Sequence, residues 1–173
     1  DAGLSACRWP RDNCSGALAR FGDCPPFELG KARALIEHKK PDAAVLAYGT
    51  MVINALEAVE SVAPEVRASL YDARFAKPVD AALIRSLLER RIPIVTVEDH
   101  GPHGGFGAAV VEAAAEMGLD AGLITRLALP DAWIYQDSRN KQLAEAGLDA
   151  ASIARAVRTA AVGRVTDAGP VIE

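Results

Sequence analysis

The sequence predicts an α/β fold, a three-layer αβα arrangement around a mostly parallel, five-stranded sheet. Three observations predict it. From about residue 41 onward, short apolar runs alternate with amphipathic stretches at helical spacing. Glycine, proline or aspartate punctuates nearly every junction between them. The regular strand-then-helix order requires crossover connections, and crossovers of one hand place every strand-to-helix loop on the same edge of the sheet.

Taken in order, residues 27–36 have a strand-like pattern. No crossover helix separates them from the next strand, so they belong at the sheet margin. Residues 43–48 read as a buried strand closed by Gly49, and Thr50 can then cap a helix whose Val52, Leu56 and Val59 recur at helical spacing. Residues 67–71 form the next strand. Asp80 caps the helix that follows, where Leu83 and Leu87, and Ile84 and Leu88, lie one turn apart. Residues 94–98 are a strand, and the glycine-rich stretch 101–107 opens a helix with Phe106, Val110, Ala113 and Met117 on its buried face. Residues 123–129 are the last strand, stopped by Pro130. Two helices follow, the second opening at Asp149 with Ile153, Val157 and Ala160 inward. Residues 163–173 show no periodicity and read as a frayed tail.

At 173 residues the chain has the length of one domain, and half of its residues are apolar. A net charge of −4 disfavours nucleic acid, whose phosphates demand a basic surface. No apolar run approaches the roughly 20 residues of a membrane span. Residues 1–11 lack the apolar stretch of an export signal, so a cytoplasmic location is expected. Cys7, Cys14 and Cys24 are odd in number and contain no Cys-x-x-Cys pair, and His38 follows at no ligand spacing. Reduced thiols, rather than a disulfide frame or a zinc site, are therefore expected.

Four groups of residues invite a chemical reading. The start of a helix at Gly104-Gly105-Phe106-Gly107 can hold an anion on its free N–H groups, and Asp131 ends the next strand where a ribose-binding acid sits in dinucleotide folds. As a fingerprint it is poor, because Val110 replaces the last small residue and the loop from Glu98 is long. His100 and His103 flank that loop beside Glu98 and Asp99, acids able to fix a histidine tautomer. Asp72, Arg74 and Lys77 crowd a strand end, where an internal ion pair of Asp72 with Arg74 or Lys77 would shape the turn before Pro78. In Arg8-Trp9-Pro10-Arg11 the proline favours an extended, polyproline-like path. Arg8 and Arg11 then project from one side, two guanidinium forks suited to a phosphate or carboxylate.

In sequence, the stretch ending Arg8-Trp9-Pro10-Arg11 resembles the Arg-Tyr-Pro-Arg close of the pyrimidine-binding domain in deoxyxylulose-phosphate synthases, thiamine-diphosphate enzymes of the transketolase type. Residues 29–33 resemble the Ile-Gly-Lys-Gly start of their C-terminal domain, and residues 47–51 the strand-to-helix turn after it. Tyr71-Asp-Ala-Arg-Phe-Ala-Lys-Pro-Val-Asp80 is similar to the signature of that domain. Val97-Glu-Asp, Gly-Gly-Phe-Gly107, Leu-Pro-Asp131 and Ala-Gly-Leu-Asp149 follow with family-like spacing.

The resemblance implies a division into residues 1–26, the tail of a preceding pyrimidine-binding domain and linker; residues 27–162, a transketolase C-terminal-like domain; and the tail 163–173. It implies a homodimeric full enzyme that joins pyruvate, after decarboxylation, to glyceraldehyde 3-phosphate, using thiamine diphosphate and magnesium. The product feeds isoprenoid synthesis. The Gly-Asp-Gly motif that holds the cofactor is absent, since Gly22-Asp-Cys24 lacks its last glycine. No cofactor site and no catalytic residue are therefore expected here, and the chain's role is assembly with the pyrimidine- and diphosphate-binding domains and shaping of the substrate entrance. The family's second arginine contacts the acceptor phosphate, a role that falls on Arg11, with Arg8 beside it. Trp9 replaces a tyrosine and Asp12 a glycine, and Asp12 adds negative charge next to that anion site. The alternatives are the C-terminal domain of another transketolase or pyruvate-dehydrogenase β-type enzyme, an independent nucleotide-binding domain on the same scaffold, and a purely structural dimerisation module.

Overall fold

The computed structural model describes residues 15–167, together with Gly3, Leu4 and Ala6. A short 3-10 helix, Gly16–Phe21, precedes β1 (Arg33–Ile36), β2 (Ala43–Ala47), α1 (Met51–Val62), β3 (Ala68–Asp72), α2 (Ala81–Glu89) and β4 (Ile94–Val97). Then come α3 (Phe106–Glu116), β5 (Ile124–Leu127), α4 (Arg139–Glu145) and α5 (Ala150–Asp167). The five strands form one sheet in the order β1-β3-β2-β4-β5. β2 pairs in parallel with β3 and β4, and β4 with β5. β1 closes one margin antiparallel to β3, as a strand with no crossover helix behind it must. The α/β, three-layer, mostly parallel architecture expected from the sequence is present.

Every residue of β2 and β4 is buried, because helices cover both faces of the sheet. The period-two alternation of a strand then sorts their side chains into two cores. Val45, Leu70, Val95 and Val97 pack with Met51, Leu56 and Val59 of α1 and with Leu148, Ile153 and Val157 around α5. Ala44, Leu46, Tyr71 and Ile94 pack with Ile84 and Leu87 of α2 and with Phe106 and Val110 of α3. Gly147, at φ 72°, ends α4 in the left-handed region that glycine tolerates and swings Leu148 into full burial.

Details differ from the sequence expectation for local reasons. The marginal strand occupies only the last residues of 27–36, because Glu28 to Lys31 form a turn. Thr50 does not cap α1: its backbone is already helical, and its Oγ1 accepts a hydrogen bond from Arg139 at 3.3 Å. In α3 the inward face holds Ala114, while Ala113 and Met117 sit half-buried at its margin. α5 continues past Gly163 to Asp167 instead of fraying at 163, and residues 168–173 lie outside the described residues. No helix among the described residues is long and apolar enough to cross a membrane.

Candidate functional site

All four strand-to-helix loops meet the carboxyl edge of the sheet, the usual ligand edge of an open α/β fold. The most constrained of them follows β4. Alternation puts Thr96 and Glu98 on the α3 side of the sheet, and Glu98 is only 1% exposed. Its carboxylate accepts the backbone N–H groups of Phe106 (2.6 Å) and Gly107 (2.8 Å), the first two residues of α3. A negative charge at a helix N-terminus satisfies orphan donors and complements the helix dipole. The glycines make room for it. A Cβ on Gly105 would stand 2.8 Å from Glu98 Cδ and 2.7 Å from Gly101 O, and one on Gly107 would stand 2.6 Å from Thr96 Oγ1.

This corrects the anion-site expectation. The helix start does hold an anion, but the anion is the chain's own glutamate, so the amides of Phe106 and Gly107 are not offered to a nucleotide phosphate. Asp131 is exposed. The histidines do not join Glu98 either. His100 is exposed with Nδ1 3.1 Å from the Gly101 carbonyl, and His103 is exposed. Asp99 turns away to Arg139 (2.6 Å), whose guanidinium also reaches Thr50. The pair thus ties α4 to the loops after β2 and β4. Tyr48, at the end of β2, stacks on Phe106 at 5.4 Å.

The loop after β3 is built differently from the expected ion pair. Asp72 Oδ1 accepts the backbone N–H of Arg74 (3.1 Å), which holds Arg74 at φ 58°. Its guanidinium instead points to the segment before β1, donating to the carbonyls of Pro25 and Pro26 and to Cys24 Sγ. Lys77 is exposed, and its peptide to Pro78 is cis. Asp80 does cap α2, accepting from Leu83 N at 3.0 Å, and its other oxygen accepts the N–H of Ala32. Burial pushes the Asp72 carboxyl above its ordinary value, opposed by the Arg74 backbone bond and by the charges of Arg74 and Arg33. The folded state therefore holds this proton more tightly than the unfolded chain does. That contribution is full at low pH and is lost as pH rises from the ordinary aspartate value, 3.8, through the raised one. Asp72→Asn keeps the acceptor and removes the titration. Urea denaturation at a series of pH values is expected to show the wild type losing stability relative to the variant across that window; parallel curves would contradict the assignment.

Arg8 and Arg11, with Cys7 and Cys14, lie outside the described residues. Cys24 is a free, exposed thiol. Among the described residues no group of three His, Cys, Asp or Glu side chains could hold a metal ion. The described carboxyl edge is thus a framework of loops that bond largely to one another, with Arg74 Nε and Thr96 Oγ1 buried without a hydrogen-bond partner. Beyond it the loop between β5 and α4 presents Trp133 and Tyr135, 82% and 72% exposed. Sequence reasoning passed over Glu98 as a structural acid. Its signal was a glutamate closing a strand, followed by two glycines that flank the first residue of a helix.

Residues 32–153 match the family model of the transketolase C-terminal domain, and the chain belongs to that family. The curated relatives it matches include the 1-deoxy-D-xylulose-5-phosphate synthases of Anaeromyxobacter sp. (43% identical over 160 residues) and Geobacillus thermodenitrificans (37% over 160). These alignments cover 90% and 92% of the chain and 25% of each relative, so the chain spans about a quarter of their length. Among solved structures, a split-gene transketolase described as an inactive β4 tetramer superposes with a TM-score of 0.69 at 29% identity. That match covers 79% of this chain and 44% of that one. A transketolase from Leishmania mexicana, 14% identical with a TM-score of 0.57 over 82% of this chain and 19% of that one, shares the fold.

Proposed function

We propose that this chain is the C-terminal domain of a thiamine-diphosphate-dependent 1-deoxy-D-xylulose-5-phosphate synthase, a cytoplasmic homodimer that joins pyruvate to glyceraldehyde 3-phosphate. Its role is to assemble with the pyrimidine- and diphosphate-binding domains and to shape the substrate entrance. One observation carries the reading: identity of up to 43% with such synthases extends over nearly the whole chain while covering a quarter of theirs. The cofactor and magnesium find no fitting site among the described residues. No acidic or histidine cluster is present to hold a metal, and the first amides of α3 are already spent on Glu98. Carbanion chemistry is what thiamine diphosphate supplies when bound; this domain supplies frame and entrance. Similarity to a chain whose assembly is titled an inactive tetramer supports a domain that associates with copies of itself yet does not turn over alone.

Arg11, with Arg8, binds the phosphate of the acceptor, the bidentate guanidinium geometry being suited to phosphate oxygens. The isolated chain is expected to give no carboligation product from pyruvate and glyceraldehyde 3-phosphate with thiamine diphosphate and magnesium added; turnover would overturn the proposal. In the full-length enzyme, Arg11→Ala is expected to raise the acceptor KM about 100-fold, the loss of one charge-assisted pair. An unchanged acceptor KM and kcat would remove the phosphate role.

A further inference from the structure

Large apolar side chains left in water gather at one end of this molecule. Six are exposed among the described residues, and four of them, Phe27, Leu29, Trp133 and Tyr135, stand at the carboxyl edge of the sheet. Phe27 and Leu29 precede β1, whose first residue, Arg33, lies opposite Asp72 at the carboxyl end of β3. The Phe27 ring meets Phe75 of the loop after β3 edge-on at 5.9 Å. Trp133 and Tyr135 follow β5, in a loop braced on both sides: Leu129 N–H donates to His100 O (2.9 Å), and Gln142 Nε2 donates to the Tyr135 carbonyl (3.0 Å). The opposite edge is charged instead. There Arg67 pairs with Asp42 and Arg91 with Asp120, and Arg90 donates to the Lys39 carbonyl.

Single exposed apolar side chains are ordinary on a protein surface. An aromatic pair on a braced loop, 82% and 72% exposed, has instead the composition of an interface core. Geometry sets the size of what covers it. β1 and β5 are the outermost strands of the sheet, so the two apolar groups sit at opposite margins. Four strand spacings separate them, roughly 20 Å. A small ligand cannot reach both, whereas a folded domain can. The loops between them bond largely to one another, and the first amides of α3 hold Glu98, so little there is offered to a nucleotide or an anion.

The way the chain enters names the partner. Arg33 donates to the carbonyls of Phe21 and Asp23, and Arg74 to those of Pro25 and Pro26, so the lead-in is fastened at this same edge, beside Phe27. A domain attached upstream of it is held next to that apolar margin at an effective concentration of about millimolar, whereas a second copy has to arrive from solution. We propose that the domain preceding this one in the same polypeptide docks on the carboxyl edge, with Trp133 and Tyr135 as anchors at one margin and Phe27 and Leu29 at the other. This rests on the reading above that the chain is the C-terminal domain of a longer enzyme, the matched relatives being spanned over only 25% of their length. Aromatic anchors ringed by polar loops carry most of the affinity of such a contact.

Two measurements on the full-length enzyme test it. In hydroxyl-radical footprinting read by mass spectrometry, Trp133 and Tyr135 are expected to oxidise about tenfold more slowly than in the urea-unfolded enzyme, because docked anchors exclude water. Val162, exposed on α5 away from this edge, serves as the reference, and protection of Trp133 and Tyr135 no greater than that of Val162 overturns the docking. The second measurement places the photoreactive p-benzoylphenylalanine in place of Gln136, an exposed neighbour of Tyr135, and leaves all four anchors intact. Irradiation is expected to join it to a peptide upstream of residue 1 within one chain, so that the product keeps the mass of a single polypeptide. A species of doubled mass means that a second copy covers the edge, and no cross-link means that nothing does; either overturns the proposal. Neither measurement depends on turnover. A full-length enzyme that forms no carboligation product would sink the synthase reading, while the footprint and the cross-link would still judge the docking.

Discussion

Gly105→Ala is expected to lower the stability of the chain by about 3 kcal/mol or more, the range that overpacking against an immovable neighbour produces. The backbone at Gly105 is extended, φ −84° and ψ −173°, so an alanine there suffers no dihedral strain. The cost is spatial. The added methyl would stand 2.7 Å from the Gly101 carbonyl and 2.8 Å from the carboxyl carbon of Glu98, and both neighbours are fixed. One is backbone. The other is held by the amides of Phe106 and Gly107. Glu98→Ala should cost about as much by a different route, since it leaves those two buried N–H groups without an acceptor, at about 1–3 kcal/mol each. In a double-mutant cycle, Gly105→Ala should cost less in the Glu98→Ala background, where the carboxyl group is gone, without becoming free, because Gly101 O remains. Urea denaturation reads all three values. A Gly105→Ala penalty below about 1 kcal/mol would contradict the cradle described for Glu98.

Ile84→Ala and Ile153→Ala are each expected to cost about 2–5 kcal/mol, the sum of lost transfer energy and the cavity left behind. Both side chains are fully buried, Ile84 in α2 and Ile153 in α5. They belong to different cores on opposite faces of the sheet. The double variant should therefore lose the sum of the single costs within about 0.5 kcal/mol. A coupling well above that would mean that the two faces repack together through β2 and β4, against the separation that strand alternation imposes. Chemical denaturation of the singles and the double settles the sum.

The fold was legible because its strongest signals are local and periodic. The unbroken apolar run at residues 43–47 and the one-turn repeats of Val52, Leu56 and Val59 leave few ways to bury the same side chains. The marginal place of the first strand followed from connectivity alone; its antiparallel pairing with β3 did not. Capping was half legible. Asp80 and Asp149 cap as their positions suggest, but Thr50 is drawn off by Arg139, a residue 89 positions later that no window around Thr50 contains. The charges after β3 failed for a similar reason. Asp72 and Arg74 are neighbours in sequence, yet the carboxylate takes a backbone N–H and the guanidinium finds carbonyls near residue 25. Pairing rules for adjacent charges do not see carbonyls 48 and 49 positions away in sequence. The glycine-rich loop was read as a place for a foreign anion because a helix start, taken alone, is one. The buried glutamate that fills it becomes visible only once Glu98 and Phe106 are known to meet. Family likeness, by contrast, rested on several short motifs in fixed order, and order survives even where individual residues such as Trp9 drift.

Among the described residues, the buried core side chains lie between Ala43 and Ala161, while before Pro41 the chain adds only partly buried ones, Leu18, Phe21, Leu35 and Ile36 among them, at its margin. Cohesion and attachment are thus borne by different parts of the polypeptide. Exchanges at the exposed positions before β1 should carry little thermodynamic penalty to the module itself. A chimera that grafts the exposed lead-in of a relative onto residues 33–167 should keep the melting behaviour of the recipient.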